Sequence, residues 1–232
     1  MRNTSYYFEM RNGFDLFQLF ALGIFLTIFL ARELLLRARG IRAIALASGK
    51  TGAQALLEAA LVVALPIWAW EVAAYAWPLS LHVLPAPFGV VILEASAARW
   101  LGALAIAGAV GMFALSLAAF GDSWRVGIDR DSPGALVTAG VFAHSRNPIF
   151  VAMDLYAVGT FLVTGRLVFL LYAVATLAAL HWQILQEERF LEANYGSDYA
   201  RYRHSVSRYL KLRWPGPRRP DAGSNREVQP CD

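Results

Sequence analysis

Apolar residues occur along this chain in long runs, separated by short charged or proline-rich segments. A membrane-crossing helix needs about 20 mostly apolar residues to traverse about 30 Å of hydrocarbon. Five runs reach or approach that length: residues 14–31, 55–75, 97–120, 148–163 and 167–185. Arg32 and Glu33 close the first. The second carries Glu58 and Glu71 near its ends and Pro66 inside. The third is rich in Gly and Ala, and its Gly102, Gly108 and Gly111 predict close approach to a neighbouring helix, because small residues drive packing where lipid supplies no hydrophobic force. Only Thr164, Gly165 and Arg166 separate the last two runs, so these must form a tight antiparallel hairpin.

The polar segments complete the pattern. Residues 77–96 hold Pro78, Pro85 and Pro87 and no Lys or Arg, and read as an outer loop with a short re-entrant or interfacial piece. Residues 187–211 are charged with helical period and a break at Gly196. They read as a helix-turn-helix lying against the membrane. The segment after Trp214 is polar, rich in Pro and Gly, and is expected to be disordered. The organisation that follows is membrane helices one to three over 1–120, a core of loop, hairpin and surface helices over 121–212, and a tail over 213–232. The fold class is an all-α integral membrane protein with about five transmembrane helices.

Composition agrees. Hydrophobic residues make up 57% of the 232 residues and charged residues 16%, against about 45–50% and about 25% in soluble domains. The excess implies a lipid-facing surface and excludes disorder for most of the chain. The net charge of +4 then reads as basic loops held by anionic lipid rather than as a nucleic-acid footprint. A single cysteine, Cys231, rules out an intrachain disulfide and a cysteine metal cluster. No G-x-G-x-x-G follows a strand, and P-loop, H-E-x-x-H and C-x-x-C motifs are missing. No metal and no nucleic-acid partner is expected.

Charges inside or at the ends of spans are candidates for function. Asp154 lies one to two turns into the fourth span, and His181 lies in the fifth. Glu187 and Glu188 sit at the end of the fifth, and Arg146 immediately precedes the fourth. Because the hairpin is tight, Arg146 and the Glu pair should stand at equal depth on neighbouring helices, with Phe142, His144, Tyr199 and Tyr202 around them. Each of these also has a plain structural reading. A Glu pair commonly ends a helix in solvent, a lone His is commonly a packed one, Asp154 can pair with a neighbouring helix, and Arg146 and the tyrosines can anchor at headgroups.

Taken in order, the motifs say more. Residues 136–148 read Leu-Val-Thr-Ala-Gly-Val-Phe-Ala-His-Ser-Arg-Asn-Pro. Two apolar spans follow, then Gln-Glu-Glu-Arg-Phe-Leu at 186–191, Tyr-Gly-Ser-Asp-Tyr-Ala-Arg-Tyr at 195–202 and Val-Ser-Arg at 206–208. This order resembles the isoprenylcysteine carboxyl methyltransferase family and its relatives, the phospholipid N-methyltransferases, over roughly residues 120–212. The family's Arg-His-Pro histidine is Asn147 here, and the proline of its Gly-Pro turn is Val141.

The resemblance implies an integral-membrane methyltransferase using S-adenosyl-L-methionine, enclosed by the hairpin and the C-terminal helices at the cytosolic face. Its acceptor would be a small lipophilic molecule or lipid: an isoprenylcysteine-like carboxylate, a thiol or a lipid amine. Carried over, Arg146 and Glu188 take the catalytic positions. His144, Asn147, Glu187, Glu188, Tyr199 and Tyr202 take the cofactor-binding ones. A carboxylate or thiolate acceptor would be oriented by Arg146, whereas an amine would need a base, with Glu188 or Asp154 as candidates. The competing readings are a sterol-type NADPH-dependent reductase of the membrane and a non-enzymatic membrane subunit.

Orientation follows from charge. With five alternating spans, seventeen of the 21 Lys and Arg residues fall on one side and four on the other. The positive-inside rule places the N-terminus outside and the C-terminus with the active site in the cytosol. Reporter fusions after Lys50 and after Leu212 should both report cytosol, and one near His82 the opposite side. A cytosolic signal at His82 would remove the five-span arrangement.

Overall fold

The computed structural model describes residues 13–40, 52–77, 79–121 and 136–210. The expected tail and most of the segment before residue 136 lie outside the described residues. Among those described, the structure consists of helices with short connecting turns. They are α1 (Gly13–Ala38), α2 (Ala53–Ala76), α3 (Ser96–Phe120), α4 (Pro148–Thr164) and α5 (Leu167–Ser205). Four are long and apolar enough to cross a membrane, and α4, at 17 residues, is the shorter fifth. Large apolar side chains such as Phe20, Val63, Leu104 and Val174 are exposed along the long helices. That surface suits hydrocarbon rather than water, and it supports a multi-pass membrane protein.

Helix α1 continues two turns past Arg32, to Ala38. Buried Glu33 pairs with Arg37 one turn on, and Arg32 donates to the carbonyl of Gly121 at the end of α3. The charges expected to end the span instead extend the helix and fasten it to α3.

One contiguous set of rings ties all five helices. Phe25 of α1 lies 4.5 Å from Phe113 of α3 and 5.4 Å from Tyr156 of α4, measured between ring centroids. Tyr156 meets Trp68 of α2 edge-on at 5.2 Å, and Trp68 stacks on Tyr172 of α5 at 5.7 Å. Edge-to-face and offset pairs of this kind are worth about 0.5–1.5 kcal/mol each beyond the area they bury. Deeper toward the C-terminal end of α5, buried Gln183 donates to buried Glu58 of α2 at 3.3 Å.

The closest helix approach is between α3 and α4. A Cβ added at Gly102 would stand 2.7 Å from the carbonyl oxygen of Gly159, and one added at Gly159 would stand 2.9 Å from that of Gly102. Gly108 and Gly111, expected to serve the same contact, face open space. Which glycine meets a neighbour is set by the face that packs, and composition alone does not reveal the face.

At the opposite end from the Glu pair, Gly165 caps α4 in the left-handed region, with φ 64°. Its carbonyl accepts from the backbone of Ile92 and Leu93, and Leu167 donates to Val90. The loop over residues 79–95 is thereby stitched to the hairpin turn. Buried Glu71 accepts from Val83 and Leu84 and lies 2.9 Å from His82 Nδ1, fixing the rest of that loop on α2.

Replacing Gly102 by Val should lower the unfolding midpoint of the detergent-solubilised protein, with an overpacking penalty of about 1–3 kcal/mol. Gly108→Ala should leave it level or slightly raised, since Ala is the better helix former by about 0.5–1 kcal/mol. Equal effects of the two would remove the α3–α4 contact as a determinant of stability.

Candidate functional site

Chain geometry just before α4 sets up the site. A single 3-10 turn, Gly140–Ala143, begins at a glycine with φ 63° and buries Phe142 against Phe120 of α3. Pro148 then fills the first position of α4, where its missing N–H is no loss. Asn147 caps α4 ahead of the proline with φ −130° and ψ 52°, outside the helical region, so Arg146 leaves the turn in a defined direction.

Helix α5 extends far beyond the bilayer. Its first arm carries the Glu pair and runs on to Gly196. At Gly196 the backbone leaves helical geometry, with φ 48° and ψ −118°. The second arm folds back, so that Arg203 reaches Glu192, 11 residues earlier, at 3.3 Å. A straight helix would separate those residues by about 16 Å. The reversal is the expected helix-turn-helix, and it lays residues 206–210 as a strap across the mouth of the hairpin.

The strap is bonded to the turn before α4. Arg146 N donates to the Ser207 carbonyl at 3.0 Å. Ser145 Oγ and Asn147 Nδ2 both donate to the carbonyl of Arg208, at 3.3 and 3.2 Å. At the centre lies Glu188, only 6% exposed. Arg146 Nη2 donates to its Oε1 at 2.7 Å, while Arg208 grips both oxygens, through Nε at 3.0 Å and Nη2 at 2.7 Å. The other terminal nitrogen of Arg146 donates to the carbonyls of Arg203 and Val206. Two guanidiniums on one carboxylate leave the cluster with a net charge of +1.

Burial alone would push the Glu188 carboxyl up. The hydrogen bonds and charges of Arg208 and Arg146 outweigh it and hold the group below the ordinary carboxylate range. Burial is the main cause that pushes the Tyr199 hydroxyl up to about 12, with the Glu188 charge adding to it and Arg146 and Arg203 opposing. Tyr202 is raised further by its burial. Both phenols are neutral donors at physiological pH.

The structure thus brings Arg146 and Glu188 together, at the common depth that the short hairpin turn dictates. Glu188, rather than Glu187, takes both cations; Glu187 is half-buried one position earlier and acts on Tyr199. Tyr199 is fully buried beside the cluster, and its hydroxyl has no hydrogen-bond partner among the described residues. Tyr202 donates to the Phe142 carbonyl at 2.7 Å, and Asn147 is spent on the strap, so both serve to close the site. His144 is exposed at the end of the 3-10 turn, and its ring makes none of the cluster's bonds. Arg208 received no role from the sequence, although Val-Ser-Arg at 206–208 was visible as a motif; its contact depends on the reversal at Gly196.

Next to Arg208 a second group forms one storey deeper. Tyr209 and His181 Nδ1 share a hydrogen bond, and the Asp154 charge acts on the Tyr209 hydroxyl. A separate, almost wholly apolar cavity of about 250 Å³ lies toward the other membrane face, between Trp68 and Glu71 of α2, Phe88, and Phe169 and Tyr172 of α5. It takes no part in this cluster. Among the described residues, no group of three or more His, Cys, Asp or Glu side chains is placed to hold a metal ion.

Comparisons with known proteins fall on this half of the chain. Residues 97–198 match the phospholipid methyltransferase family. A stretch of 84 residues is 31% identical to the protein-S-isoprenylcysteine O-methyltransferase of Schizosaccharomyces pombe, covering 36% of each chain. The match therefore spans little more than a third of that relative's length. No solved structure matches. The segment holding α3, α4 and the first arm of α5 is thus similar in sequence to membrane methyltransferases. The similarity extends both to an isoprenylcysteine methyltransferase and to the phospholipid methyltransferases.

Because the folded-state carboxyl of Glu188 is depressed, its stabilisation is complete above the ordinary carboxylate range of about 4 and is lost as pH falls through the lower folded value. Thermal unfolding of the wild type should weaken steeply below pH about 4. Glu188→Gln should be less stable at neutral pH, since it leaves two buried guanidiniums facing an amide, and should show a flatter acid slope. Identical acid slopes would mean that the ion cluster does not hold the strap.

Proposed function

We propose that this protein is an integral-membrane methyltransferase that uses S-adenosyl-L-methionine to methylate a small lipophilic acceptor at the cytosolic face. The observation that carries the reading is the Arg146–Glu188–Arg208 cluster, buried beneath a strap at the end of a hairpin whose sequence matches methyltransferases.

The donor set suits such a cofactor. The cluster has an excess positive charge to receive a carboxylate. Beside it, Arg146 Nε and the Tyr199 hydroxyl are buried polar atoms without a hydrogen-bond partner among the described residues, and buried polar groups are rarely left unpaired. Glu187, half-buried next to them, offers a carboxylate to an ammonium or a ribose hydroxyl. When bound, S-adenosylmethionine supplies a methyl group made electrophilic by its sulfonium.

The chain's own residues do the rest. Arg146 and Arg208 fix the anionic end of the cofactor, and Tyr199 donates to it. Phe142, Tyr202 and the strap keep water from the cytosolic side. The open flank of the hairpin toward lipid admits a lipophilic acceptor sideways. Methyl transfer is an in-line displacement that needs little covalent help, so positioning, for which about 7–11 kcal/mol is available, supplies most of the acceleration.

Isothermal titration should show binding of S-adenosylhomocysteine and none of NADPH; the reverse would point to a reductase, and neither to a non-enzymatic subunit. Arg146→Lys keeps the charge but cannot serve Glu188 and two carbonyls at once. It should insert and fold yet lose one to two orders of magnitude in cofactor affinity or in turnover, which is the effect of about 1.5–3 kcal/mol from a charged hydrogen bond. Wild-type values for both would return Arg146 to a headgroup anchor.

A further inference from the structure

The site has two storeys. Asn147 and Asp154 are seven residues apart on α4, and Glu188 and His181 are seven apart on α5, so each pair stands on one helix face about two turns apart. The two helices are antiparallel, which places Asp154 and His181 at a common depth above Asn147 and Glu188. The strap serves both levels with consecutive residues. Arg208 binds Asn147 through its carbonyl and Glu188 through its guanidinium, while Tyr209 binds His181.

The lower storey is electrostatically closed. Both oxygens of Glu188 are engaged by guanidiniums, and its proton affinity is below that of an ordinary carboxylate, so it is a poor base. Glu192 and Asp198 are paired with Arg203 and Arg201. In the upper storey, Asp154 is the one carboxylate in α4 or in α5 before the Glu pair. Its Oδ1 is buried without a hydrogen-bond partner among the described residues. An ionisable group kept at that depth is costly and calls for a partner or a task.

Four groups act on the Tyr209 hydroxyl. Burial comes first, and with the charges of Asp154 on α4 and Glu188 on α5 it raises the hydroxyl, whereas Arg208 lowers it; His181 is bonded to it directly. The phenol therefore keeps its proton, and it is bonded to the imidazole while feeling the Asp154 charge. His181 and Tyr209 are both exposed, so an acceptor can reach them.

We infer that Asp154 is the proton acceptor of this site, with Tyr209 and His181 as its positioning residues. The methyl acceptor is then a lipophilic molecule whose attacking atom carries a proton it must lose, rather than a carboxylate. The inference rests on the methyltransferase reading above. In the step, the acceptor atom forms a bond to the methyl carbon as the carbon–sulfur bond breaks. S-adenosylhomocysteine departs as a neutral thioether, and the proton on the acceptor atom passes to the Asp154 carboxylate. A carboxylate acceptor would leave no proton to place, and an upper storey so equipped would have no use.

The full chain, purified and incubated with labelled S-adenosylmethionine and a membrane lipid extract, provides the test. Asp154→Asn should bind S-adenosylhomocysteine as the wild type does. Its turnover should fall at least 100-fold, in the range expected for loss of a general base, and the rise of turnover with pH should vanish. Tyr209→Phe should keep cofactor affinity, lose about 10-fold in turnover and shift the pH profile. A second readout does not need catalysis: His181 carbethoxylation by diethyl pyrocarbonate, followed by mass spectrometry across pH. The Asp154 charge acts on the phenol that His181 holds, so Asp154→Asn should change the rate at which the imidazole is modified. Normal turnover and an unchanged carbethoxylation profile in Asp154→Asn would overturn the assignment, as would a methyl ester as the product. If the wild type itself binds no cofactor, the methyltransferase reading fails and takes this inference with it. Intact binding and transfer with an indifferent Asp154 sink this inference alone.

Discussion

Everything at the open end of the α4–α5 hairpin hangs on one buried carboxylate. Glu188 sits at the top of α5 with almost no access to water, an arrangement that a lone anion would not tolerate. It is tolerable because two guanidiniums reach it from different parts of the chain, one 42 and one 20 residues away. Removal of a partner from a buried pair typically costs about 3–5 kcal/mol. The turn before α4, the second arm of α5 and the strap are therefore mutually dependent. Arg146 closes the circle by binding the carbonyls of Arg203 and Val206 as well, so the same guanidinium that neutralises Glu188 also fixes the segment that delivers Arg208.

A clasp of this kind needs its two helices at constant relative height. The Gly102–Gly159 contact locks α4 on α3, and the ring chain from Phe25 to Tyr172 locks both to α1, α2 and α5. At the far end the Gly165 turn, held by Ile92 and Leu93, sets the height at which α5 begins. The short α4 and the long α5 then differ in function. One begins at the turn that aims Arg146. The other continues out of the bilayer and carries its own closing strap.

Much of this was legible in the sequence, and the reasons are physical. Spans in hydrocarbon must be long and apolar, so their number and their boundaries, to within a few residues, stand out. A three-residue link between two spans allows little freedom, and this is why Arg146 and the Glu pair were expected at one level. Contacts that depend on direction were not legible. Gly108 and Gly111 look like Gly102 until the packing face is known. Tyr202 stands in the resembled pattern and Asn147 replaces its histidine, yet the polar atoms of both are turned to backbone carbonyls, an outcome that residue type does not announce. Arg208 and Tyr209 act only because the chain reverses at Gly196, and a reversal at one glycine brings together residues whose spacing has no helical meaning.

That reversal also has a consequence for biosynthesis. All five apolar helices are complete by the end of the first arm of α5, so insertion into the bilayer has no need of the strap. A ribosome must still add residues 206–209 before Glu188 meets its second cation and His181 its phenol. Until then the hairpin is inserted but its carboxylate lacks the second of its two guanidiniums and its mouth is uncovered. The last described segment to be synthesised is the one that finishes the centre, so a nascent chain gains its working geometry only after it is already a resident of the membrane.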